Sequence, residues 1–237
     1  MTALILQGRL DSSRLPNKAL LPLGEKPMIL RVMEALKPAP ADIHILACPE
    51  DSVAAFESLA KTAGFELISG PKPDVLRRYC IAIRRYAVDW VIRATGDNPF
   101  VFVDAAVTLE RETRTLGADY GGYSALPCGA GVEVVRARSL LQAEEEADTE
   151  VEREHVCPFL YNHPERFLLH RPMAPPSWQG KDIRLTVDTP EDYEKSKQLY
   201  CALLSMPLEK RSNGETIISV FRKTFPVNNA VPRGVYS

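Results

Sequence analysis

Cysteine is scarce and scattered in this sequence. The five, Cys48, Cys80, Cys128, Cys157 and Cys201, are odd in number and form no C-x-x-C pair. That argues against a disulfide framework or a structural zinc site. The four histidines show no zinc-ligand spacing either. Long apolar runs are missing: no window approaches about 18 continuous apolar residues, so no membrane span is expected. The opening "MTALILQGR" has neither the basic region nor the long apolar run of a signal peptide. The expected compartment is the reducing cytoplasm. Excess positive charge is missing as well, with Lys+Arg 29 against Asp+Glu 31 and a net charge of -2. Bulk attraction to nucleic acid or to an anionic membrane is therefore not expected, and any basic site must be local.

What the chain does carry is core material: 45% of its 237 residues are hydrophobic. That is enough for a sizeable core. At roughly 100–200 residues per domain, the length allows one large domain, or one with a small appendage. The first half alternates strand and helix. "ALILQ" reads as a buried parallel strand and "KPMILRVMEALK" as a helix with Pro27 in its first turn. "DIHILAC", "FELIS" and "DWVIRAT" read as further strands. Between them lie helices over "DSVAAFESLAKTAG", opened by Asp51 or Ser52 and closed by Gly64, and over "PDVLRRYCIAIRRYA". This order predicts a parallel, doubly wound α/β sheet.

The second half is less regular. "ADYGGYS", "GAGVEVVRA", "RFLLHRPMA" and "DIRLTVD" read as strands, and "SLLQAEEEADTEVEREHVCPFLYNH" as helix in one or two pieces. "TPEDYEKSKQLYCALLSM" is a helix with Thr189, Pro190 and Asp192 forming a capping-box-like start, and "GETIISVFRKTF" a last short helix. The expected organisation is a single domain over 1–210, with an irregular insertion at about 120–180 and a tail over 211–237 packed on the domain.

Glycine is scarce where nucleotide-binding α/β proteins commonly place several. The first strand–helix loop, "LQGRLDSSRLPNKAL", holds one glycine, Gly8, and three cations, Arg9, Arg14 and Lys18. Fork-shaped Arg contacts and a compact Lys charge suit a polyphosphate, with Ser12 and Ser13 as hydroxyl donors. A solvated surface loop is an equal reading of the same residues. In "RATGDNPF", Asp97 stands at a strand's carboxyl end after Thr95 and Gly96. It either serves chemistry or organises its turn. In "IRLTVDTPEDYE", Thr189 takes the helix cap, which leaves Asp188 without that duty. Two carboxylates at strand ends suit a shared hard cation such as Mg²⁺ with phosphate oxygens. Arg78 lies at the edge of its helix's apolar stripe and Arg77 points away from it. Arg78 either reaches a cleft or snorkels over its own helix. Glu133, Arg153, Glu154 and His155 are candidates for lining an acceptor pocket, and solvated charge is the other reading.

Together these segments resemble the cytidylyltransferases grouped with spore coat polysaccharide biosynthesis protein F. Those are relatives of the enzymes that activate 3-deoxy-manno-octulosonate and N-acylneuraminate with CTP. The likeness is carried by Gln7, Gly8, Arg9, Ser12, Arg14, Leu15, Pro16 and Lys18; by Asp74, Val75, Leu76, Arg78 and Tyr79; by Thr95 to Pro99; by Glu152 to Pro158; and by Arg184 to Asp192. It is colinear over about residues 1–200. The sequence departs from the pattern at Gly8, where alanine is usual, and at Asp11 and Asn17, where glycine is common. Asn tolerates left-handed geometry, so the turn before Lys18 can survive. Asp11 adds a negative charge inside the phosphate loop.

The resemblance implies a nucleotide-diphospho-sugar transferase fold, a Rossmann-like three-layer α/β sandwich with a mixed, mostly parallel sheet. It implies CMP transfer from CTP to a sugar, sugar-acid or phosphate-type acceptor, with Mg²⁺ and release of pyrophosphate, in surface glycoconjugate assembly. Asp97 and Asp188 would be the metal ligands and, with Arg9 and Lys18, the catalytic set. Leu6, Gln7 and Gly8 would meet cytosine and ribose mainly through backbone. Ser13, Arg14, Asp74, Arg78, Thr95 and Gly96 would complete the nucleotide site. A homodimer is expected, with no nucleic-acid partner and no membrane insertion. Two other readings stay open. One is a glycosyltransferase of the same sandwich fold, against which Pro99 two residues after Asp97 counts, since no D-x-D results. The other is a non-catalytic nucleotide-binding protein, to which Asp11 lends weight.

Overall fold

The computed structural model describes residues 1–226, so the last part of the 211–237 tail lies outside the described residues. Strand β1 (Thr2–Gln7) carries Ala3, Leu4, Ile5 and Leu6, all completely buried. An uninterrupted apolar run is what a strand covered on both faces requires. Successive side chains point to opposite faces. Ala3 and Ile5 accordingly join one core cluster, and Leu4 and Leu6 another.

From β1 the chain crosses through α1 (Met28–Leu36) to a parallel strand, β4 (Ile43–Pro49), then through α2 (Val53–Ala63) to β5 (Glu66–Gly70). It returns through α3 (Val75–Tyr86) to β6 (Trp90–Thr95), on the other side of β1. Gln7 of β1 stands opposite Thr95 of β6. Strand order reverses here, and open α/β sheets bind ligands beyond the carboxyl ends of the strands at such a point. Pro27 is not in the first turn of α1. It pairs across a small hairpin of β2 (Pro22–Leu23) with β3 (Lys26–Pro27), and the helix starts one residue later.

Beyond β6 the sheet becomes mixed. After α4 (Val103–Leu116), β7 (Tyr120–Gly121) pairs antiparallel with β8 (Glu133–Arg136), which is antiparallel to β6, while β9 (Leu169–His170) pairs parallel with β7. The result is a seven-stranded sheet in the order β5-β4-β1-β6-β8-β7-β9. Helices cover both faces, as the α/β sandwich expectation required.

The irregular half differs from the sequence reading in four ways. Residues 103–116, left unassigned above, form α4, which Gly117 closes in the left-handed region at φ 65. The long helical segment breaks into α5 (Ala137–Glu146), α6 (Glu150–His155) and α7 (Pro158–Asn162). Thr149 and Glu152 form a capping box that starts α6, and Val156 ends it at φ 73. The expected strands over 118–124 and 166–174 shrink to two residues each. "DIRLTVD" is extended but forms no strand: Leu185 N donates to Cys128 O at 2.7 Å, Cys128 N donates to Ile183 O at 3.0 Å, and Val187 N donates to Asp97 O at 2.9 Å.

The extended segment is held by its apolar side instead. Ile183, Leu185 and Val187 bury in a third cluster with Phe100, Phe102 and residues of α8 (Pro190–Leu203) and α9 (Gly214–Thr224). Helix α8 begins with a full capping box between Thr189 and Asp192. Replacing an N-cap Thr by Ala removes one acceptor for an otherwise unpaired backbone N–H. Thr189→Ala is expected to lower unfolding free energy by about 1 kcal/mol, measured by urea denaturation; an unchanged midpoint would contradict this account of how α8 starts.

Candidate functional site

A cleft of about 400 Å³ opens at the carboxyl ends of β1 and β6. Its floor is close-packed backbone. Gly96 N donates to Gln7 O at 2.8 Å. A Cβ at Gly96 would lie 2.5 Å from Ile29 Cδ1 and 3.0 Å from Gln7 O, so only glycine lets the β6 turn approach β1 this closely. Tyr79, fully buried on α3, donates its hydroxyl to Ile5 O at 3.1 Å and sits 3.3 Å from Gln7 Oε1, fixing the end of β1 from below.

The first loop passes over this floor and turns at Asn17, which is left-handed at φ 54. Asn thus fills the conformational role glycine would have had. A short 3₁₀ turn, Lys18–Leu20, follows, and Lys18 points into the cleft with its side chain 12% exposed. Its ammonium lies 2.8 Å from Asp97 Oδ2, 2.8 Å from Asp188 Oδ1 and 2.9 Å from Val187 O. Three donors meet three acceptors. The two aspartates of the sequence reading therefore do converge, and they do so on one cation.

Asp188 is held on both oxygens, since Arg184 Nη2 donates to Oδ2 at 2.6 Å and Arg14 Nη2 stands 3.5 Å from it. Burial pushes the Asp188 carboxyl up, but the Lys18 hydrogen bond and the charges of Lys18, Arg14 and Arg184 outweigh it, so the group stays below its ordinary value. Two carboxylates aimed at one point offer the hard oxygen donors that Mg²⁺ takes together with phosphate oxygens and water. Among the described residues no group of three or more His, Cys, Asp or Glu is suited to a metal, so the protein donors here are the two aspartates alone.

The rim is equally charged. Arg9 Nη1 donates to Glu154 Oε1 at 3.4 Å across the mouth. Asp11 does not face the cleft's centre: it pairs with Lys72 Nζ at 2.9 Å, which also holds Asp51 at 3.0 Å. The extra negative charge in the loop is thus matched at its outer edge. Ser13 and Arg14 line the cleft from the loop, and Arg78 lines it from α3. Arg78 is 2% exposed and its Nη1 donates to Pro71 O at 2.7 Å and Lys72 O at 3.1 Å, while Arg77 turns outward to Glu144.

Glu154 and His155 also line the cleft. They precede Val156, which adopts φ 73 and ψ -55 with Cys157 N donating to His155 O at 2.9 Å. That is a three-residue γ-turn of the rare hand, strained for a β-branched residue. Strain of this kind persists where surrounding structure over-determines it.

Other candidates stand apart from the cleft. Leu6 is wholly buried in β1. Asp74 caps α3 by accepting from Arg77 N at 2.8 Å, and pairs with Arg153 at 3.3 Å. Arg153 spends its remaining donors on Glu144 O and Ala147 O. Glu133 pairs with Arg93 and accepts from Tyr120 Oη at 2.7 Å. It lines a second cavity of about 320 Å³ with Tyr120 and Tyr123, which shares Arg93, Thr95 and Asn98 with the first.

The sequence reading missed Arg93, Arg184 and Thr186 as cleft residues. Their signal was alternation. Ile183, Leu185 and Val187 face the core while Arg184, Thr186 and Asp188 face the cleft, and Arg93 and Thr95 alternate with buried Ile92 and Ala94 in the same way. In all, six Arg or Lys residues line the cleft against three carboxylates, in a chain of net charge -2.

A three-layer α/β fold with a cationic, two-aspartate cleft at its strand-order switch is the architecture of an enzyme that handles nucleotide phosphates. The chain belongs to the cytidylyltransferase family, whose model matches residues 3–217. It is 30% identical over 203 residues to the spore coat polysaccharide biosynthesis protein SpsF of Bacillus subtilis, covering 83% of this chain and 85% of that protein. A cytidylyltransferase structure from Leptospira borgpetersenii superposes with a TM-score of 0.82 at 25% identity, covering 94% of each chain. The CMP:2-keto-3-deoxy-manno-octonic acid synthetase, solved with CTP, shares the fold at a TM-score of 0.64 and 18% identity, covering 84% of this chain and 98% of that one. The chain is accordingly a nucleotidyltransferase. No helix among its described residues is long and apolar enough to cross a membrane.

A depressed carboxylate stabilises the fold above its unfolded value and loses that contribution as pH falls through the folded one. For Asp188 the loss therefore sets in below the ordinary value of 3.8. The stability difference between wild type and Asp188→Asn is expected to be larger at neutral pH than near pH 3, read by urea unfolding at both. Equal differences would contradict the ion-pair account of this residue.

Proposed function

We propose that this protein transfers CMP from CTP to a sugar, sugar-acid or phosphate-type acceptor and releases pyrophosphate, with Mg²⁺, in the assembly of surface glycoconjugates. The observation that carries the reading is the convergence of Asp97 and Asp188 on one cation, inside a cleft rimmed by Arg9, Arg14 and Arg184. An acceptor oxygen attacks the α-phosphorus and the bond to the pyrophosphate oxygen breaks, with the electron pair leaving on pyrophosphate and the acceptor's hydroxyl proton passing to solvent. The protein's part in such a step is positioning and charge neutralisation. Asp97 and Asp188 would hold the metal, which would supply Lewis-acid stabilisation to phosphate oxygens when bound. Arg9, Arg14 and Lys18 neutralise charge growing on pyrophosphate. Gln7 and Gly8, half-buried at the floor, receive the base and ribose through backbone. The acceptor occupies the second cavity, where Glu133 and Tyr120 offer hydrogen bonds to hydroxyl groups and Arg93, Thr95 and Asn98 form the shared wall. Asp74 and Arg153 act by fixing α3 to α6 rather than by touching ligand.

A cytoplasmic homodimer fits this role, with the contact in the 120–180 region, where Leu168 and Met173 are exposed. Asp97→Asn is expected to lower CMP transfer by at least about a hundredfold, as removal of a preorganised charge from a dry site does. Its melting temperature should stay close to wild type. The assay is pyrophosphate release from CTP across sugar, sugar-acid and phosphate acceptors. Transfer near the wild-type rate by the variant would remove the metal role from Asp97.

A further inference from the structure

We propose that Lys18 gates the metal site: its ammonium closes the Asp97–Asp188 pair to bare divalent cations, and the pair opens only when a nucleoside triphosphate draws the lysine away. The inference rests on the reading of the cleft as a metal–nucleotide site.

The geometry is that of a satisfied internal cation. All three ammonium donors are used, on Asp97 Oδ2, Asp188 Oδ1 and Val187 O, at 2.8, 2.8 and 2.9 Å. The second oxygen of Asp188 is taken as well, by Arg184 at 2.6 Å and Arg14 at 3.5 Å. As it stands, Lys18 has no donor left for a phosphate, and Asp188 has no oxygen that a cation does not already face. A bare divalent ion meets two opposing terms. It must displace a largely buried ammonium from three acceptors. It must also enter a cleft where six cationic side chains face three carboxylates.

A triphosphate reverses both terms. The metal complex of a nucleoside triphosphate is a net anion, so the cationic rim attracts it. Its phosphate oxygens give the ammonium new acceptors in exchange for the carboxylates it leaves. Lysine suits this exchange, being a compact charge on a flexible four-carbon stem with rotatable donors, whereas a guanidinium would be fixed by its planar fork. Released from Lys18, Asp97 and Asp188 face the incoming metal together. Metal and nucleotide then favour each other's binding by the same factor, because coupling between two ligands is reciprocal.

The test is Mn²⁺ binding to the purified full chain, followed through the paramagnetic resonance signal of the free ion, without and with CTP. CTP itself chelates Mn²⁺ and removes the free-ion signal, so the CTP arm is read against CTP and Mn²⁺ without protein; wild type is expected to bind Mn²⁺ weakly alone and the Mn²⁺–CTP complex at least about tenfold more tightly. Lys18→Met, without nucleotide, is expected to bind Mn²⁺ at least about tenfold more tightly than wild type, since an opposing charge is gone. Lys18→Arg, which keeps the charge, should stay weak. The wild-type comparison needs no variant to fold, and melting curves report on those that are made. Tight Mn²⁺ binding by nucleotide-free wild type would overturn the gate. So would a folded Lys18→Met variant that gains nothing. Failure of CTP to bind under any metal condition would overturn the nucleotide reading instead, and the nucleotide-free comparison would still decide the gate.

Discussion

The structure of the site depends on one shared ion contact, the ammonium of Lys18 between Asp97 and Asp188. It joins three segments far apart in the chain: the first loop, the end of β6 and the segment before α8. Two carboxylates brought this close to one point in a half-buried cleft would repel each other. The ammonium removes that conflict, and Arg14 and Arg184 remove what is left of it on Asp188. Each partner is placed by ordinary backbone devices. Asn17 supplies the left-handed turn before Lys18, Gly96 the tight approach before Asp97, and the Thr189 capping box the abrupt helix start after Asp188. None of these devices is itself chemical, yet together they fix where the charges meet.

The surrounding charge shows the same economy. The whole chain is slightly acidic, but the cleft concentrates cations at the one place where the sheet's strand order leaves a crevice. Several of these cations are restrained by protein partners: Arg9 by Glu154, Arg93 by Glu133, and Arg78 by two backbone carbonyls. The restraints are incomplete, however. Arg78 Nε, Arg93 Nε and Asn98 Oδ1 are buried without a hydrogen-bond partner among the described residues. Buried polar groups are usually paired, and these three lie along the walls of the cleft.

Much of the fold could be read from the sequence because its signals are local. The strand–helix alternation of the first half, the Gly64 cap, the tolerance of Asn17 for positive φ and the Thr189 box all appear in the structure where periodicity and turn chemistry put them. The segment 182–188 was misread as a strand for a reason that is also instructive. Its alternation is real, but it is satisfied by a buried cluster on one side and a cleft on the other rather than by a sheet neighbour. The same alternation announced Arg184 and Thr186, had it been followed through. The pairing of Asp11 with Lys72 could not be read, because nothing local says which distant lysine will lie against the loop. Nor does any pattern in the sequence show that Lys18 lies between the two carboxylates.

Division of labour between the two cavities follows from what they share. Arg93 lies between them, largely buried and paired with Glu133, with Tyr120 on the same carboxylate. Burial alone would press the Arg93 guanidinium to lose its charge, but Glu133 and its neighbours more than offset this and keep it strongly cationic. The cleft therefore holds cations set in two ways: Arg93 on a strand, paired with one carboxylate, and Lys18 at the end of the first loop, shared between two carboxylates and a backbone carbonyl. Both are placed by the fold itself, and preorganised charge of this kind is what nucleotidyl transfer draws on.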